Sequence, residues 1–477
     1  MTMLMNLAIL FLSCLVPAWG DAGRLYPLEA DRHLCRGNST VRQNALDVCL
    51  GTWKQPLPYE HHDRCAEALE IKQVAMLFLA RTRILTEPVW REWFSEIAGL
   101  VPVAAISNGE LCRQEKLEAA RACAGTHAHD VLANQHLFNV YVHPHPMIHS
   151  YERSSLFFGQ LVANRVVVSW GSPTQVEAAK ILLTEALRNP LNQKFFLIGD
   201  RDVPLYPAWL TYQWLLTEDK ARVDACKTWN PQLKKWDMDR LDYQRASLSM
   251  SMKIHNHWRK SWCWFSMPRQ HAELVTCDTE IFEEFQHHCT GIAPDPDIGG
   301  EYRVCFTDEH YIATLLSVHG LEAETGCRDS LIYWEGEFGA FDGAHAYLWT
   351  PPEYNRSNFM AMRRGKRHER RCPVEAAVRS VESTRRMFVN ASETLQEEQV
   401  AESCSTYAAQ NLKIVGDASH ACPLFARKFP AEALKELVTA YKSCALGHYD
   451  ADGLFCSDFA APDSVSRRTD LNRPQGS

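Results

Sequence analysis

The stretch Val74-Ala-Met-Leu-Phe-Leu-Ala80 is apolar without a break. That is the pattern of a strand covered on both faces, not the alternation of a half-wet one. Phe138–Val142 (FNVYV), Arg165–Ser169 (RVVVS) and Lys194–Ile198 (KFFLI) are three further short strand candidates. Between them the period changes. Pro88 opens VWREWFSEIAG, a helix with proline in its first turn and Gly99 at its end. Ser172-Pro-Thr-Gln175 offers a cap, a first-turn proline and the glutamine of a capping box. Val176, Ala179, Leu182, Leu183, Ala186 and Leu187 then share one helical face until Asn189-Pro190. Tyr206 to Leu216 reads as helix again. Strands alternating with helices predict an α/β fold, an open sheet with helices on both faces. Ligands of such sheets bind beyond the carboxyl ends of the strands.

Outside this region the pattern is weaker. Met3 to Trp19 is apolar, with Ala18-Trp19-Gly20 at its end and no preceding Lys or Arg, so residues 1–20 read as a signal peptide or signal anchor. Either one would place the rest of the chain in a secretory lumen or outside the cell. Residues 21–70, with Cys35, Cys49 and Cys65, read as a disulfide-tied stem, and residues 100–135, with Cys112 and Cys123, as an insertion. The basic run Arg363 to Arg371 reads as a solvated loop. The polar tail after 457 reads as disordered.

The chain has 477 residues and 17 cysteines, one of which, Cys14, lies in the leader, so an even number remains. No C-x-x-C occurs, which argues for disulfides in an oxidising compartment over zinc ribbons. The sequons at Asn38, Asn355 and Asn390 agree. A net charge of −8 argues against a nucleic-acid partner.

Asp200-Arg201-Asp202 follows the apolar run that ends at Gly199. Two acids there suit a divalent cation, a substrate contact or a turn. Asp237-Met-Asp239 and Asp295-Pro-Asp297 repeat the spacing, so it is not specific by itself. Asp308-Glu309 precedes the apolar helix Tyr311-Ile-Ala-Thr-Leu-Leu; the acids either complement its N-terminus or do chemistry. Trp258-Arg-Lys260 and Trp262-x-Trp264 offer aromatic faces for sugars, although Trp264 equally suits a core. His143-Pro-His145, with His149, has the look of a metal cluster, but the sequence offers no clear remaining ligands.

Several of these stretches together resemble the core-2/I-branching β-1,6-N-acetylglucosaminyltransferase family, in particular its plant and algal members. The resemblance runs from about residue 72 to 430. It is carried by VAMLFLARTRILTEPVWREWF, FNVYVHPHP, VSWGSPTQVEAAKILLTEALRNPLNQKFFLIGDRDVPLYP, WRKSWCWFSMPRQHAELV, CFTDEHYIATLL, GAHAYLW and CPLFARKF, in family order. It implies a GT-A-type, Rossmann-like domain over 71–430, followed by an extension over 431–477. It also implies an inverting transferase of the Golgi or secretory lumen, taking GlcNAc, xylose or glucuronic acid from a UDP-sugar to a glycan or glycoprotein. On that resemblance Glu309 is the catalytic base. His143, Trp170, Gly171, Arg427 and Lys428 meet the donor. Asp202, Arg259, Lys260 and Trp262 meet the acceptor. The family's animal members use basic side chains in place of a metal, so no cofactor is expected, with manganese on Asp200 and Asp202 as the alternative. A further family arginine has no counterpart between Cys404 and Lys413, where Lys413 is the nearest substitute. Two other functions stay open: a non-catalytic lumenal glycan-binding relative, and a metallohydrolase.

Overall fold

The computed structural model describes residues 63–107, 112–123, 131–132, 135–226, 228–230, 235–237, 252–289, 292–294, 301–303, 305–327, 331–334, 348–349, 358, 361–363, 385, 387–390 and 422–438. The leader, most of the stem, the sequons at Asn38 and Asn355, Lys413 and the polar tail lie outside the described residues. Among the described residues no helix is long and apolar enough to cross a membrane.

In chain order the elements that matter are α1 (Arg64–Leu69), β1 (Gln73–Leu79), α2 (Glu87–Ser95), β2 (Leu100–Pro102), α3 (Gln114–Cys123) and β3 (Phe138–His143). There follow α4 (Pro173–Leu187), β4 (Asn192–Gly199), β5 (Val203–Pro204), α5 (Ala208–Thr217), α6 (Met252–His257) and β6 (Ser266–Pro268). The set closes with α7 (Arg269–Cys277), α8 (Glu280–His288), α9 (Thr307–Val318), β7 (Ile332–Trp334), β8 (Phe388–Asn390) and β9 (Phe425–Arg427).

The main sheet has the order β3-β1-β4-β6. Its first three strands are parallel, and β6 closes the edge antiparallel to β4. Alternate residues of β1 feed two cores. Val74, Met76 and Phe78 join Trp90, Trp93 and Phe94 of α2 and the buried face of α5. Ala75 and Leu77 join Leu182, Leu183 and Ala186 of α4 and the helices α7 to α9. The unbroken apolar run is thus a strand covered on both faces, and the fold is the open α/β sheet of a GT-A-like enzyme.

A second small sheet, β7-β9-β5, sits beside the first. β9 pairs parallel with β7 and antiparallel with β5, the two-residue strand that follows β4. A fully buried Arg222 ties the sheets together. It pairs with Glu218, and its guanidinium donates to the carbonyl of Cys422, just before β9. Lys194 of β4 donates to the carbonyls of Glu218 and Lys220, both at 2.8 Å. Buried charges persist when every donor has a partner.

Three local expectations are corrected. Arg165–Ser169 is not a strand: it has no sheet partner among the described residues, and Val167 is 63% exposed. The Val166 N–H instead donates to a side chain, His143 Nε2 at the end of β3, at 3.1 Å. Gln175 does not close its box on Ser172. Its Oε1 reaches one residue further back, to the Gly171 N–H at 3.1 Å, and its Nε2 is spent elsewhere. Arg363, read as part of a solvated loop, is buried; its guanidinium donates to the Leu205 carbonyl and lies over the Tyr206 ring. Within 100–135, β2 pairs with β8, and α3 packs on α1.

Candidate active site

The turn after β4 is the floor of the site. Asp202 is fully buried. Its Oδ2 accepts the Gly199 N–H at 2.6 Å, and its own carbonyl accepts the Thr86 hydroxyl at 2.8 Å. Leu85 N–H donates to the Asp200 carbonyl and Phe429 N–H to the Arg201 carbonyl, so the turn is held from α2 on one side and β9 on the other. Gly199 is required by space. A Cβ there would stand 2.9 Å from Trp264 Cη2 and 3.4 Å from Asp202 Oδ2.

Asp200 and Arg201 face a cleft of about 450 Å³ beyond the strand ends. Asp202 does not line it. The expectation that Asp202 meets an acceptor is therefore corrected: a carboxylate with no exposure cannot touch one. The alternative cation site on Asp200 and Asp202 fits poorly as well. Asp202 Oδ1 faces Arg427 Nε at 3.6 Å and Oδ2 is occupied, whereas a hard cation needs several oxygens turned to one point. Among the described residues no three His, Cys, Asp or Glu stand in a metal-holding group.

The acids of the opposite wall come from the first turn of α9. The Cys289–Cys305 disulfide fixes the chain two residues before this helix, and the Thr307 N–H bonds the Gly171 carbonyl at 3.0 Å. Gly171 has φ +68°, a left-handed conformation that favours glycine. Asp308 Oδ2 accepts Gln175 Nε2 at 2.8 Å, so the starts of α4 and α9 are joined across the cleft edge. Glu309 Oε2 stands 3.4 Å from Lys260 Nζ, and both groups are partly exposed.

The basic wall is the end of β9. Arg427 and Lys428 line the cleft. Their carbonyls accept the indole and backbone N–H groups of Trp349, at 3.3 and 3.1 Å. The Arg427 guanidinium lies 4.4 Å from the Trp264 ring centroid. Aromatic rings complete the walls: Trp262 meets Trp334 edge to face, and Trp170 meets Phe306. Trp170 and Trp262 are 53% and 40% exposed, unusual for indoles outside a binding surface.

The cleft thus brings together Glu309, Trp170, Trp262, Arg427 and Lys428. It does not include His143, Gly171 or Arg259. His143 is buried at the end of β3, with burial pushing its imidazole down to about 4. With Nε2 accepting from Val166, its Nδ1 has no hydrogen-bond partner among the described residues. Arg259, expected at the acceptor, is buried with its guanidinium on Glu322 and the Ala225 carbonyl. Its Nη1 donates to the Trp258 carbonyl at 2.9 Å, and its own carbonyl accepts His310 Nδ1 at 2.7 Å, locking the 258–260 segment to α9. Cleft residues missed by sequence reasoning include Arg81, Cys263, Phe306 and Trp334. Arg81 directly follows the β1 region, and its place at a strand's carboxyl end was the available signal. Trp334 had none, because β7 carries only three residues. Burial and the nearby Asp308 push the Cys263 thiol well up.

An α/β sheet with a mixed acidic, basic and aromatic cleft at its carboxyl edge defines a GT-A-like class of protein. Residues 128–367 match the Core-2/I-Branching enzyme family, and the chain belongs to it. It is similar to Glycosyltransferase BC10 of Oryza sativa subsp. japonica, with 31% identity over 239 residues, 46% of this chain and 56% of that protein. The chain thus matches little more than half of that relative's length. Glu309 falls inside the matched family segment, whereas Arg427 and Lys428 fall beyond it.

Proposed function

We propose that this protein is an inverting glycosyltransferase of the secretory pathway, moving a sugar from a UDP-sugar to a glycan or glycoprotein hydroxyl. The supporting observation is that Glu309 and the Arg427–Lys428 pair, far apart in sequence, line one cleft. Glu309 takes the proton from the acceptor hydroxyl as its oxygen bonds to the anomeric carbon. The bond from that carbon to the diphosphate oxygen breaks, and UDP leaves with the electron pair. Arg427 and Lys428 meet the charge that develops on the diphosphate, as preorganised cations should. Trp262 offers a face for the acceptor sugar, and Lys260 holds Glu309 until the acceptor arrives. Outside the cleft, Gly171 holds the start of α9 through its carbonyl and His143 holds the 165–169 segment through Val166. Arg259 acts by fixing Lys260.

The test is UDP release from a panel of UDP-sugars with mixed glycan acceptors, in EDTA and in manganese. Release in EDTA that falls at least tenfold in Lys428→Ala supports the reading. Release in manganese only, indifferent to Lys428→Ala, overturns the role given to the basic pair.

A further inference from the structure

The acid at the end of Asp200-Arg201-Asp202 has no exposure, yet it neighbours the cleft through one side chain. Asp202 Oδ2 is committed to the Gly199 N–H. Among the described residues its Oδ1 has no hydrogen-bond partner, and neither does Arg427 Nε, which faces it at 3.6 Å. The Trp264 ring meets the same guanidinium, its centroid 4.4 Å away, and the indole itself closely approaches Gly199. Arg427 is therefore held by two contacts, one to a buried carboxylate and one to an aromatic ring. Its side chain is only 20% exposed, although it lines the cleft.

We infer that Asp202 is a positioning residue: it orients Arg427 so that the guanidinium presents its remaining N–H donors to a nucleoside diphosphate. This rests on the reading of the cleft as a donor site. Arginine recognises phosphate through a rigid fork, so its orientation matters as much as its charge. A buried ionised carboxylate is costly unless it is paired; burial holds the Asp202 carboxyl above the usual carboxylate range, and the Arg427 guanidinium brings it part of the way back. The pair stabilises one rotamer of a side chain that is otherwise rich in alternatives. Asp202 never touches the ligand. Its effect passes wholly through Arg427, and only a ligand reaching Arg427 feels it.

The experiment is a double-mutant cycle on the intact secreted protein, read as the Kd for UDP and for UMP by calorimetry. Asp202→Asn keeps an oxygen for the Gly199 N–H and removes the charge. Expected are a UDP affinity 5- to 10-fold weaker, a UMP affinity within twofold of wild type, and no further UDP loss when Asp202→Asn is added to Arg427→Ala. An unchanged UDP affinity in Asp202→Asn overturns the inference. So does a loss shared equally by UMP, or one that persists in full on the Arg427→Ala background. If Arg427→Ala binds UDP as wild type does, or wild type binds neither nucleotide, the donor-site reading falls and the inference with it. Should Asp202→Asn fail to fold, Arg427→Lys supplies the measurement: it keeps charge but has no Nε to face Asp202. UDP binding 3- to 10-fold weaker with UMP unchanged supports the inference, and wild-type UDP binding overturns it.

Discussion

Gly199→Ala is the smallest change that tests how the floor of the cleft is built. The added Cβ would stand 2.9 Å from Trp264 Cη2, closer than such atoms pack, and 3.4 Å from Asp202 Oδ2. The Gly199 N–H bond to Asp202 leaves little room for the backbone to retreat. The indole must therefore move, and it carries the Arg427 guanidinium 4.4 Å above it. Overpacking by one methyl in a filled site costs about 1–3 kcal/mol. No positive φ is involved, so the cost is packing and not backbone strain. For a chain of this size a loss of that order lowers Tm by roughly 1–3 °C. The assay pairs chemical denaturation with a UDP titration: the denaturation midpoint should fall, and UDP affinity should weaken at least threefold because Arg427 is displaced. A variant as stable as wild type, with unchanged affinity, would refute the packing argument.

Other consequences are as direct. Cys289 and Cys305 close a loop with a sequence separation of 16, so replacing both with serine should cost about 3 kcal/mol on the chain-entropy argument. Because this bridge fixes the start of α9, the same variant should lose transfer activity at temperatures where it stays folded; activity assayed well below its Tm checks this. His143 is held neutral by burial, with its folded value near 4 against 6.5 for the free side chain. Between these values the unfolded chain binds the extra proton, so this contribution is fully present above pH 6.5 and is lost as the pH falls towards 4. Up to about 3 kcal/mol is at stake. His143→Gln should flatten the stability curve over that window in urea unfolding at a series of pH values.

The sequence revealed the sheet better than the site. The runs at 74–80, 138–142 and 194–198 are long, apolar and regular, so periodicity found the three parallel strands. It failed at Arg165–Ser169, where three valines suggest a strand but the chain meets the outer edge of β3 only by a bridge at Leu161, before the valines begin. The second sheet was invisible because β5, β7 and β9 have two or three residues each and take their stability from long-range pairing. Glu309, Arg427 and Lys428 could be named from motifs, and they line the cleft. Asp202 and Arg259 carried the right chemistry for a ligand contact but are buried. Charge type is written in the sequence, whereas exposure depends on which neighbours the fold brings. Gln175 shows the same limit: a capping-box glutamine became the bridge between α4 and Asp308.

The most direct test of the central claim is Glu309→Gln, assayed for UDP release with its best donor and acceptor and for UDP binding in parallel. The change is nearly isosteric and costs little stability, since the Lys260 partner is solvent-screened and such pairs contribute about 0–1 kcal/mol. Removal of a general base should lower kcat by about 10²–10⁴-fold, while UDP affinity stays within twofold of wild type. Release reduced less than tenfold, or a larger loss in Asp308→Asn than in Glu309→Gln, would contradict the assignment of the base.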